Sequence, residues 1–119
     1  MLGTDNTVPF KGWMTMYREA GIMKIYPGME AEYEKRHNEI WPELVANIKK
    51  HGASNYSIFL NKATGELFSY LEAEDEAAWK SRGGDELTKK WWDYMADIME
   101  TNPDNSPVFI PIDEVFHLD

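Results

Sequence analysis

The sequence contains no cysteine, which excludes disulfides, thiolate nucleophiles and sulfur-ligated metals together. Basic residues are scarce: 12 Lys and Arg stand against 21 Asp and Glu, for a net charge of −9. A nucleic-acid binder needs a basic face for the phosphates, so that class is disfavoured, as is a highly anionic substrate. The three histidines are well separated, with no HxH or HExxH spacing, so no metal site is expected. No apolar run approaches the ~18 residues of a membrane span, and no segment resembles an export signal. A cytoplasmic protein without membrane contact is the expectation. Gly83-Gly84 lacks the following Lys-Ser/Thr of a phosphate loop, and there is no GxSxG elbow. Cofactor-dependent chemistry therefore has no motif to rest on, and none is expected.

Against these absences stands a surplus of aromatic rings. Five Trp, six Tyr and five Phe make up 13% of the 119 residues, more than a core of this size needs. They are the first sign of a site. Apolar residues at 43% and charged residues at 28% describe an ordinary globular chain of one-domain length. The acidity is uneven: residues 1–65 carry a net +1 and residues 66–119 a net −10. Most of the excess falls at helical spacing beside Trp and Met, which reads as a solvated helix face. Residues 1–15 read as a leader, native or expression-derived, because Met14 or Met16 can each serve as a start. Residues 16–119 read as a single domain.

Along that domain, Tyr17 to Tyr26 ends strand-like in Ile-Met-Lys-Ile and closes at the turn pair Pro27-Gly28. Helix formers follow from Met29 to His37. Pro42 cannot lie deep inside a helix, so one helix ends near Asn38 and a second runs from Pro42 to His51-Gly52. Ser54–Leu60 and Glu66–Leu71 alternate apolar with polar residues and are joined as a hairpin by Asn61–Gly65. Asp75 starts a further helix that Gly83-Gly84 interrupts. Asp85 restarts it, with Leu87, Trp91, Tyr94 and Ile98 on one stripe and Thr88, Trp92, Met95 and Met99 on its neighbour. After the loop Asn102–Pro107, Val108–Leu118 has the composition of a last strand. The order βαββαβ predicts an α+β, ferredoxin-like sandwich. Its sheet has one face without helices, and a second copy of the chain is the simplest cover for it, so a homodimer is expected.

Few residues are left to carry chemistry. His37 shares a helix face with Tyr33 and lies near Trp41; its ordinary pKa of ~6.5 suits proton transfer near neutrality. The same position also suits a helix-end histidine stabilised by the dipole. Adjacent Trp91 and Trp92 point about 100° apart, so both cannot face one neighbour. Trp91 reads as core and Trp92 as the edge of a cleft, with the reverse assignment open. Flat rings such as Trp92, Tyr33 and Tyr56 suit the C–H face of a sugar.

Four motifs then resemble one family. Glu32–Leu44 (EYEKRHNEIWPEL), His51–Ile58 (HGASNYSI), Trp91–Met95 (WWDYM) and Asn102–Pro107 (NPDNSP) are similar to the signature of the L-rhamnose mutarotases, in order and spacing. The resemblance covers about Gly21 to Leu118. It implies a dimeric α+β barrel that interconverts the α and β anomers of L-rhamnose, with related sugars as further candidates. Carried over by position, it implies His37 as the catalytic histidine, Tyr33 and Tyr56 as sugar-contacting tyrosines, and Trp91 and Trp92 as the paired tryptophans. Glu39 departs from the Pro of some relatives, and the leader has no counterpart. Dimeric α+β barrels also include cofactor-free monooxygenases and haem-handling enzymes, in which His37 would be an iron ligand. A non-catalytic sugar-binding module is the rival of another class.

Overall fold

A computed structural model describes residues 16–119; the leader expected at residues 1–15 lies outside them. The chain runs β1 (Tyr17–Lys24), α1 (Glu30–Asn38), α2 (Pro42–Lys50), β2 (Ala53–Asn61), β3 (Glu66–Ala73), α3 (Glu76–Lys80), one 3₁₀ turn (Ser81–Gly84), α4 (Glu86–Met95) and β4 (Ile110–Pro111). The strands form one antiparallel sheet in the order β2-β3-β1-β4. This is the α+β, ferredoxin-like arrangement expected from the element order.

Local chemistry explains where the elements begin. Pro42 opens α2, where its missing N–H is not needed, and the clash of its ring with the residue before it holds Trp41 extended. The Asp75 carboxylate caps α3 by accepting from the Ala78 N–H at 2.8 Å, and Asp85 caps α4 through the Thr88 N–H at 3.2 Å. Asp85 also accepts from the Asn47 side chain at 2.7 Å, which ties α2 to the start of α4.

The helices cover one face of the sheet. Met23 and Ile25 of the first strand segment, Leu67 of β3, Tyr33 of α1 and Met95 at the end of α4 form the main core, with Ile98 and Met99 beyond it. Leu71 and Ala73 pack with Ala53 and Trp79 in a second cluster. Burying each large apolar side chain contributes roughly 1.5–3 kcal/mol, so these two clusters hold the layers together. The α4 stripe differs from expectation. The helix ends at Met95, Thr88 and Met95 are its buried positions, and Tyr94 remains 42% exposed.

Gly21 permits one close approach. A Cβ there would fall on the Phe109 ring, 2.6 Å from Cε2 and closer still to Cζ and Cε1. The last strand is shorter than Val108–Leu118. Only Ile110 and Pro111 pair with β1, extended by the Ile112 N–H to the Ala20 carbonyl at 3.1 Å. Pro107 and Pro111 supply no N–H to a ladder, and the residues beyond Ile112 run on exposed.

Candidate active site

Between the helices and the sheet lies a cavity of about 1000 Å³, at the upper end of the range of small-molecule sites. His37, Tyr33, Tyr56, Trp91 and Trp92 all line it. The sequence pattern had assigned Trp91 to core and Trp92 to a cleft. Both half-buried rings border the cavity, while Trp91 also packs on the main core.

The rings near His37 form a continuous wall. Tyr33 stacks on His37 at 4.3 Å between centroids, and Trp91 meets the imidazole edge-on at 5.5 Å. Trp41 packs edge-on against Trp91 at 5.1 Å and beside Tyr94 at 5.6 Å. Arg36 fastens this wall from outside. Its guanidinium lies over Tyr94 at 4.5 Å, donates to the Tyr94 carbonyl at 2.6 Å, and pairs with Glu32 at 2.8 Å and Asp97 at 2.9 Å.

His37 Nδ1 lies 3.1 Å from the Tyr33 carbonyl. A carbonyl only accepts, so Nδ1 carries the hydrogen and the neutral ring is left with a free lone pair on Nε2. That nitrogen has no protein partner among the described residues. Burial lowers the pKa of His37 below its ordinary value, against the opposing pull of the Tyr33 carbonyl. Near neutral pH the group is thus a base, on a ring that lines the cavity.

Tyr33 is 7% exposed, and its hydroxyl has no hydrogen bond to the described residues. Burial first, then the nearby Tyr56, raises its pKa, so the phenol stays protonated and acts as a donor. Tyr56 is set by a β-bulge. Ser54 pairs with Glu72 and Ser57 with Tyr70, leaving one extra residue on β2, and Asn55 takes a φ of +48° within it. The Asn55 amide reaches Glu72 at 2.8 Å, while Tyr56 turns to the cavity and meets Trp79 edge-on at 6.1 Å. Burial raises the pKa of Tyr56 too.

Three features escaped the sequence pattern. Gly83 is more than a helix break: a Cβ there would lie 3.2 Å from the Trp92 ring, so its bare backbone makes room for that indole. Trp79, 1% exposed, and Arg82 beside it complete the far wall. The signal for Arg82 was available, since it is the one arginine in the acidic half of the chain. The other two histidines lie elsewhere: His51 bonds the Asn47 carbonyl at 2.9 Å, and His117 bonds Asp119 at 2.8 Å on the surface. Among the described residues no group of three or more His, Asp or Glu is placed to hold a metal ion.

Comparison with known proteins gives one answer. A family model described as L-rhamnose mutarotase matches residues 18–118. A curated L-rhamnose mutarotase of Bacteroides thetaiotaomicron is 58% identical over 104 residues, which are 87% of this chain and all of the relative. One from Oceanobacillus iheyensis is 55% identical over the same shares. The crystal structure of an L-rhamnose mutarotase from Formosa agariphila superposes with a TM-score of 0.79 at 45% identity, covering 87% of this chain and 99% of that one.

Proposed function

Because the chain belongs to the L-rhamnose mutarotase family, we propose that the family's reaction runs at the His37 end of the cavity. The activity is that of an isomerase interconverting the α and β anomers of L-rhamnose. Family membership over nearly the whole described chain sets aside the monooxygenase, haem-handling and purely sugar-binding readings.

The observation that carries the site assignment is the His37 tautomer. With Nδ1 donating to the Tyr33 carbonyl, Nε2 accepts the proton from the anomeric O1 hydroxyl. The C1–O5 bond then breaks, the proton now on Nε2 passes to O5, and C1 becomes the aldehyde carbon. Rotation about C1–C2 presents the other face, O5 adds back to C1, and the proton transfers run in reverse, so His37 ends as it began. Tyr33 and Tyr56, held as neutral phenols, donate hydrogen bonds to the sugar oxygens as charge builds on them. Trp91 and Trp92 offer apolar faces to the sugar's C–H groups. General acid–base assistance of this kind contributes ~10²–10⁴-fold. His37→Ala should lose most of the anomer exchange seen by saturation-transfer NMR while keeping its fold. Exchange at the wild-type rate in that variant would overturn the assignment.

The homodimer is part of the same proposal. On the helix-free face, Phe59, Phe68, Ile22 and Ile110 pair in register as an apolar row across all four strands. Phe59 is 68% and Ile110 57% exposed. Val115, Phe116 and Leu118 continue this exposed apolar surface along the C-terminal segment. A second copy laid face to face covers these groups and explains why so small a chain presents them.

A further inference from the structure

Arg82 is held in an unusual way for a surface-poor cation. Its guanidinium lies 3.8 Å from the Trp79 ring centroid and donates from Nη1 to the Trp79 carbonyl at 3.0 Å. Stacking and hydrogen bond together fix the plane of the fork. Among the described residues its remaining N–H groups have no hydrogen-bond partner, and no carboxylate lies within ion-pair distance. Half-buried donors of this kind are costly to leave unmet.

Glu19 of β1 faces the same cavity. One of its oxygens, Oε1, accepts from the Tyr17 hydroxyl at 2.8 Å. Its other oxygen has no partner among the described residues. Tyr17 is pushed up to about 12 by burial and by that bond, so it stays a donor. Arg82 and Glu19 act on each other electrostatically, yet they do not touch. A hydroxyl group both donates and accepts, and it suits a gap between a carboxylate and a guanidinium. A chain of neighbours links this pair to the chemistry, from His37 through Tyr33 and Tyr56 to Trp79 and Arg82.

We propose that Arg82 and Glu19 form the specificity pole of the site, holding hydroxyls of the sugar remote from the anomeric carbon. The proposal rests on the mutarotase reading above and adds to it the groups that select the substrate. Arg82 donates to one hydroxyl oxygen or forks to two vicinal ones, and Glu19 accepts a hydroxyl proton. A sugar lacking the hydroxyl leaves a half-buried charge unpaired, and this is the strongest form of discrimination available to a binding site.

The test compares Arg82→Met and Glu19→Gln with the wild type, using NMR anomer exchange over a range of L-rhamnose and of its 2-, 3- and 4-deoxy analogues. Loss of a charged hydrogen bond corresponds to a ~10–100-fold rise in KM, with kcat little changed. Arg82→Lys, which keeps the charge without the fork, should fall between. The wild type should discriminate against one deoxy analogue, and Arg82→Met should lose that discrimination. Melting curves identify a variant that does not fold, and the isosteric Glu19→Gln then decides alone. An unchanged KM and an unchanged ranking of the analogues in a folded variant would overturn the proposal. Failure of the underlying reading looks different: the wild type itself would not speed anomer exchange. Calorimetric binding of L-rhamnose to His37→Ala, with and without Arg82→Met, reads the affinity without any turnover.

Discussion

Replacing Gly21 by alanine tests the packing that joins the last segment of the chain to the sheet. The added methyl would lie 2.6 Å from Phe109 Cε2 and nearer to two other ring atoms, whereas carbon atoms in contact sit ~3.5–4.0 Å apart. The ring must therefore withdraw by more than ~1 Å. It cannot do so freely, because Phe109 packs on the main core and lines the cavity. Overpacking of this kind costs about 1–3 kcal/mol, and the severity of the overlap places Gly21→Ala in the upper half of that range. Phe109→Ala alone should cost about 2 kcal/mol, roughly half the value for a fully buried phenylalanine. In the Phe109→Ala background the new methyl meets no ring. There Gly21→Ala should be neutral or gain ~0.5–1 kcal/mol from reduced backbone freedom. The double-mutant cycle thus predicts a coupling of ~2–4 kcal/mol. Urea unfolding followed by tryptophan fluorescence, at one fixed protein concentration, measures it through the shift in midpoint. If Gly21→Ala costs as much without the Phe109 ring as with it, the steric argument is wrong.

Three further expectations follow from the site and its supports. Because His37 is held below its ordinary pKa near 6.5, it binds its proton less readily folded than unfolded. Its contribution to stability is complete above about pH 6.5 and is lost as pH falls through the lowered folded value. The acid limb of kcat/KM should likewise lie below pH 6.5, and a limb at or above that pH would contradict the assigned base. Arg36→Met removes the donor to the Tyr94 carbonyl and two carboxylate partners. It should lower stability by about 2 kcal/mol in urea unfolding and reduce kcat by loosening the wall behind His37. Phe59→Glu places a charge in the apolar row of the open sheet face; sedimentation should show monomer, and an unaltered mass would refute the face-to-face dimer.

Much of this architecture was legible in the residues. Pro42 divides the helix pair, Asp75 and Asp85 cap the helices they precede, and Tyr33 with His37 meet because one helical turn separates them. Each of these is decided within a few residues, so sequence spacing suffices. Tyr56 could be identified by motif, but its direction depends on an extra residue in β2 that only the pairing with β3 reveals. Arg82 and Glu19 are distant in the chain and reach the same cavity only once it is folded. The Gly21–Phe109 contact has the same origin, since a glycine inside a strand pattern does not say whose ring will fill the space. The last strand was overestimated because its β-branched and aromatic residues suit pairing, while its prolines limit how many partners β1 can offer.

The bulge that turns Tyr56 inward has a second consequence, for the solubility of the protein in a crowded cell. β2 is an outer strand of the sheet, and outer strands present unpaired backbone groups on which another chain can add. Here that border is broken by the left-handed Asn55 and the misaligned step between Ser54 and Ser57. The opposite border is only two residues long, and one of them is Pro111. Neither margin offers a straight template for strand-by-strand growth. Growth by strand addition is thereby disfavoured, and a substitution that straightened β2 would be expected to make the protein prone to aggregate.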